Sequence, residues 1–117
     1  MKTLKINLEY DIPERENPEK LSMAEITYNY LQGAIAQKYP QIEGQLRRQY
    51  GRMQRKFDEA IDKNKNEVEL EDSEFEMLSE AFEKAKFSPL LARYINVLEE
   101  AIEETKKSAE PKKPLDK

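Results

Sequence analysis

Two short stretches of this chain alternate apolar and polar residues, while the segments between and after them repeat every three to four residues. Leu4, Ile6, Leu8 and Tyr10 share one side of residues 3–10, with Lys5, Asn7 and Glu9 on the other. Val68 and Leu70 flank Glu69 in the same manner. A period of two sends successive side chains to opposite faces, so each stretch reads as a strand with one buried side. Two strands alone are only marginally stable in water. Helices must cover their apolar face, and that requirement fixes the fold class: α+β, mostly α, in the order β-α-α-β-α-α.

The helical segments carry their own punctuation. Asp11 to Lys20, with Pro13 and Pro18, reads as a loop. Ser22 and Glu25 form a capping box, with Leu21 and Ile26 as the hydrophobic staple around it. That helix is expected to reach Tyr39, before Pro40. Gly33 lies inside it, costs roughly 1 kcal/mol relative to Ala, and would be accounted for by close approach of a neighbouring helix. Ile42, Leu46, Tyr50, Met53, Phe57, Ala60 and Ile61 mark a longer helix over residues 41–62, with Gly51 off its stripe. Lys63 to Asn66 is a polar turn. The third helix begins near Glu71 to Ser73, and three starts compete: an Asp72 cap, a Ser73–Glu76 capping box, or a Leu70–Phe75 staple around Glu71. Ser88 caps the fourth, Pro89 takes its first position, Phe87 is placed to staple against Ala92, and fraying is expected near Lys106. Residues 1–105 read as a single domain and 106–117 as a disordered basic tail.

The predicted core is Leu4, Ile6, Leu8, Ile26, Leu31, Ile35, Leu46, Tyr50, Met53, Phe57, Ile61, Leu70, Phe75, Leu78, Phe82, Leu91, Val97 and Leu98.

Composition narrows the function. The 117 residues include no His and no Cys. Histidine is the usual general base near neutral pH, and His and Cys supply most zinc sites. The common hydrolytic, redox and zinc chemistries are therefore poor fits; no enzyme activity, cofactor or metal is expected. No apolar run approaches the roughly 20 residues needed to cross a bilayer, and Met1 to Lys5 opens no signal-peptide core. The expectation is a soluble cytoplasmic protein that uses no membrane.

Five clusters invite a functional reading. Arg47, Arg48, Arg52, Arg55 and Lys56 fall within ten residues that contain no acid. Arg48, Arg52 and Arg55 share a face and could hold phosphates or an acidic protein surface. The plainer account is neutralisation within the chain, since residues 67–105 hold twelve acids and three bases. Asp62, Asn64 and Asn66 imitate the start of a calcium loop, but Glu67 stands where glycine is needed and Ser73 where the bidentate Glu is needed, so calcium is rejected. Glu67, Glu69, Glu71, Asp72, Glu74 and Glu76 read as a solvated acidic surface. Tyr30, Tyr50 and Tyr94 sit on apolar stripes and read as core or interface, with Tyr28 off the stripe. The tail, with a balance of +3 over residues 106–117, reads as solubilising.

The cadence Glu67-Val68-Glu69-Leu70, then Glu76-Met77-Leu78, Phe87-Ser88-Pro89-Leu90 and Val97-Leu98-Glu99-Glu100, together with the opening Leu4-Lys5-Ile6-Asn7-Leu8, resembles small proteins of tailed-phage and prophage genomes. The resemblance covers roughly residues 67–102 and the first ten. It implies a viral origin, a host-cytoplasmic location and a non-enzymatic accessory role, and supplies no catalytic residues. The expected function is a non-catalytic protein-interaction module, an accessory, assembly or regulatory factor with a protein partner or self-association. The alternative is nucleic-acid binding through the basic face of the second helix.

Overall fold

Each element begins where its local chemistry allows. The computed structural model describes residues 1–108. Strand β1 is Lys2–Lys5 and strand β2 is Glu67–Leu70. They pair antiparallel, with Leu4 opposite Val68 and Lys5 opposite Glu67. Leu4, Val68 and Leu70 face inward, and Thr3, Lys5, Glu67 and Glu69 face water. The alternation predicted for residues 3–10 persists in burial, since Ile6 and Tyr10 are buried and Leu8 half-buried. The strand itself is shorter. The Ile6 N–H donates to the Asn66 carbonyl at 2.9 Å, and the partner strand extends no further. Burial outlasts the ladder because helices, not strands, cover Leu8 and Tyr10.

Helix α1 is Met23–Lys38. Its capping box is complete: the Glu25 N–H donates to Ser22 Oγ at 3.1 Å, and the Ser22 N–H donates to Glu25 Oε1 at 2.9 Å. Helix α2 is Gly44–Asp62, starting three residues later than the periodicity suggested. The turn into it needs Gly44 at φ +65°, a conformation that disfavours a Cβ. Asn64, after α2, sits at φ 56°, as a polar turn residue can. Helix α3 is Asp72–Lys84. Of the three starts, the one around Glu71 is realised. The Glu71 N–H donates to the Glu74 carboxylate at 2.8 Å, and Leu70 and Phe75 are both buried. A 3₁₀ turn, Pro89–Leu91, leads into helix α4, Ala92–Ser108. The Phe87 ring meets Phe82 at 5.7 Å and Tyr30 at 6.4 Å, and Ala92 is exposed.

Helix α4 runs through Lys106 and Lys107, where fraying was expected. Thr105 is buried, and its hydroxyl is shared between the Ala101 carbonyl at 2.8 Å and the Thr3 carbonyl at 3.4 Å. This contact fastens the last turns to β1. Residues 109–117, most of the expected tail, lie outside the described residues.

The helices enclose the inner face of the sheet. α4 lies along β1, α2 along β2, and α1 packs on α3. The main core unites Leu4, Ile6, Leu31, Ile35, Met53, Phe57, Leu70, Leu78, Leu98 and Ile102. A second cluster joins Tyr10, Ile26 and Tyr94 under the loop of residues 11–20. Tyr10 meets Tyr30 and Tyr94 edge-on, at 6.0 and 6.4 Å. The Tyr94 hydroxyl donates to Glu16 at 2.6 Å, and Asn17 clasps both the N–H and the carbonyl of Leu21.

Leu46 was expected in the core and is exposed, while Tyr50, Ile61, Leu91 and Val97 are half-buried at its edges. Leu46 lies in the first turn of α2, two turns ahead of its first fully buried residue, Met53. Gly33 is exposed, and a Cβ built on it or on Gly51 meets nothing within 4 Å. No close approach explains either glycine. Gly33→Ala and Gly51→Ala are each expected to stabilise the protein by about 0.5–1 kcal/mol, because alanine restricts the unfolded chain and clashes with nothing. Urea unfolding measures this as a higher midpoint with unchanged slope.

Candidate interaction surface

The first half of α2 is built unlike the rest of the protein. Its buried residues are Met53, Phe57 and Ala60. Between Gly44 and Arg52 no side chain is fully buried; Gln49 and Tyr50 are half-buried, Tyr50 against the core, and the other side chains of these two and a half turns face water. Arg47, Arg48, Arg52 and Arg55 are all exposed on this helix. Among the described residues, none of the four takes part in an ion pair or a side-chain hydrogen bond.

Helix stability does not explain these arginines. Positive charge near a helix N-terminus and negative charge near its C-terminus both oppose the macrodipole. α2 has Arg47 and Arg48 in its first turns and Asp58, Glu59 and Asp62 in its last. Arg48 and Arg52 are like charges at i, i+4, which costs a few tenths of a kcal/mol. Its N-cap, Glu43, accepts no side-chain hydrogen bond. The helix persists because its opposite face is held by the core.

Lys56 departs from the sequence reading. It leaves the arginine face, turns inward, and places Nζ 2.6 Å from Glu74 Oε1. Glu74 departs too, because it does not belong to the solvated acidic surface. Its side chain is 1% exposed, although Glu67, Glu69, Glu71, Asp72 and Glu76 are all exposed. One oxygen takes both the Lys56 ammonium and the Glu71 N–H, while Oε2 has no protein partner. Gln49 adds a second tie from α2 to α3, donating to the Ser73 carbonyl at 3.1 Å. Neutralisation within the chain therefore reaches Lys56 and stops there.

α3 shows the complementary pattern. It buries Glu74, Phe75, Met77, Leu78, Ser79, Ala81 and Phe82, so its outward stripe is Asp72, Glu76, Glu80 and Glu83. Asp72 lies 3.3 Å from the N-terminal ammonium, and Glu80 lies 3.3 Å from Lys38. Glu76 and Glu83 form no ion pair among the described residues.

An apolar groove of about 490 Å³ opens between the 11–20 loop, α1 and the start of α4. Ile12, Leu21, Tyr30, Leu91 and Tyr94 line it beside Leu90, which is 86% exposed. Among the described residues no three carboxylates converge so as to hold a metal ion, and Asn66 of the calcium-like sequence bonds Ile6 and Asn7 instead. No helix of the described residues is long and apolar enough to cross a membrane.

The tyrosines mostly serve packing. Tyr28 stacks on Phe57 with centroids 4.9 Å apart, so the residue placed off the stripe in fact covers the core edge. Tyr10 is buried, and its hydroxyl lies 2.7 Å from Thr27 Oγ1, which in turn donates to the Ile6 carbonyl at 2.9 Å. Burial pushes the Tyr10 phenol up to about 12, and also raises Tyr28, Tyr30 and Tyr50. These folded values exceed the ordinary value of 10.0, so folding favours the neutral phenols. Stability is expected to hold below pH 10, then fall as pH rises towards 12. The chain has no Trp, so tyrosinate absorbance follows this directly. Phenol ionisation at the ordinary value, without loss of helix, would contradict the burial of Tyr10.

Compared with family models, curated proteins and solved structures, the chain matches none.

Proposed function

We propose that this chain is a non-catalytic protein-interaction module that docks on an acidic protein surface through Arg47, Arg48, Arg52 and Arg55. The observation that carries the reading is their unpaired exposure on the outward side of α2, whose other side is held by the core. Arginine is favoured at protein interfaces because its planar, weakly hydrated guanidinium binds carboxylates in a bidentate fashion. The same stripe becomes acidic at Asp58, Glu59 and Asp62. A continuous polyanion would meet those carboxylates within the next turns of helix, whereas a protein surface of mixed charge can match both signs. That favours protein over nucleic acid, as does the net charge of −4.

The absence of His and Cys supports a role outside catalysis. The phage-type resemblance of residues 67–102 suggests an accessory, assembly or regulatory factor of the host cytoplasm. The test is affinity capture under nuclease treatment, comparing the unaltered chain with the Arg48→Glu/Arg52→Glu variant. Proteins captured only by the unaltered chain are expected. Retention on duplex DNA or RNA at low salt, lost in the variant, would replace this reading with the nucleic-acid one.

A further inference from the structure

The exposed charges of α2 and α3 are opposite in sign and identical in spacing. Arg48, Arg52 and Arg55 stand at i, i+4 and i+7; so do Glu76, Glu80 and Glu83. At about 1.5 Å of rise per residue, each stripe is about 10 Å long. All six residues are exposed. Within one chain the stripes do not meet, since α2 is tied to α3 through Gln49 and Lys56 on another side of the helix.

We propose that the arginine stripe of α2 docks on the acidic stripe of α3 in a second copy of this chain, with Arg48 facing Glu76, Arg52 facing Glu80 and Arg55 facing Glu83. This deepens the preceding reading, and rests on it, by naming the partner. Charge complementarity selects a second copy. The described part of the chain offers an arginine stripe with no ion pairs and an acidic stripe in matching register, and Glu80 alone among the six is engaged, with Lys38 at 3.3 Å. Covering the arginine stripe disturbs no packing, because Arg48, Arg52 and Arg55 are all exposed and hold no ion pair among the described residues. The α3 stripe is bordered by Lys2, Lys38 and Lys106, but among the described residues only Lys38 is paired with one of its three carboxylates, which leaves Glu76 and Glu83 open to a partner. Contacts between exposed charges are individually weak and screened by salt, so the association is expected at low ionic strength and high protein concentration.

Light scattering on eluting protein tests this at about 0.01 M and about 1 M salt, where the screening length falls from about 30 Å to about 3 Å. The unaltered chain is expected to exceed its single-chain mass of 13.8 kDa at low salt and return to it at high salt. Arg48→Glu/Arg52→Glu and Glu76→Lys/Glu83→Lys are each expected to stay at that mass in both. An equimolar mixture of the two variants should recover the larger mass, as should one chain carrying all four reversals. These positions hold no ion pair in the fold, and unchanged far-ultraviolet dichroism confirms that each variant is folded. A single-chain mass for the unaltered protein at low salt overturns the proposal, as does association that survives either reversal. If self-association is absent while arginine-dependent capture of another protein persists, this inference fails and the interaction module stands. If arginine-dependent retention on nucleic acid replaces both, the two fail together.

Discussion

Lys56→Met is expected to destabilise the protein by about 3–5 kcal/mol, more than a single charged side chain on a helix surface normally would. The reason is the carboxylate that remains. Glu74 is 1% exposed and keeps only the Glu71 N–H, with Oε2 already unpartnered. A buried charge stripped of its counter-ion cannot recover its hydration without opening the α2–α3 contact. Glu74→Met alone is expected to cost less, because Lys56 is 31% exposed and its ammonium can turn to water. The double variant Lys56→Met/Glu74→Met should regain most of the loss, since apolar side chains of similar volume often match a buried pair in stability. Urea unfolding of the four proteins closes the cycle. Equal, small and additive losses would show that the pair is not the clamp between α2 and α3.

Phe57→Ala is expected to cost a similar amount, about 3–5 kcal/mol, for an unrelated reason. Phe57 is 1% exposed and sits in the main core, and its ring stacks on Tyr28. Truncation leaves a void bordered by Tyr28 and the core beneath α2, which the fixed sheet cannot collapse to fill. For a domain whose total stability is in the usual range of about 5–15 kcal/mol, such a loss is a large share. Thermal unfolding monitored by dichroism measures it. A change in midpoint of only a degree or two would contradict the placement of Phe57. The same variant tests whether the projecting half of α2 depends on its buried half, because loss of helix beyond that turn would appear as lower ellipticity before global unfolding.

The signal for the clamp was present in the sequence, in a form that composition hides. Met53, Lys56, Phe57 and Ala60 stand at i, i+3, i+4 and i+7, and so do Glu74, Met77, Leu78 and Ala81. Each set is a buried stripe with one charge in it, and the two charges are opposite. Counting Lys56 with the neighbouring arginines, and Glu74 with the neighbouring acids, concealed that both occupy inward positions. Leu46 shows the converse. Its spacing matches the stripe of α2, but burial along that stripe is complete only from Met53 onward, and how far a stripe is covered depends on the elements packed against it.

The order of strands and helices, the α1 capping box and the inward faces of both strands were fixed by local chemistry. Hydrophobic period and capping are properties of a few consecutive residues, and any compact arrangement has to respect them. The register of Leu4 against Val68, the extension of α4 past Thr105, the burial of Glu74 against Lys56 and the isolation of the arginines belong to the tertiary structure. Each depends on which distant segment lies opposite, and that is settled only when all the apolar faces are buried together.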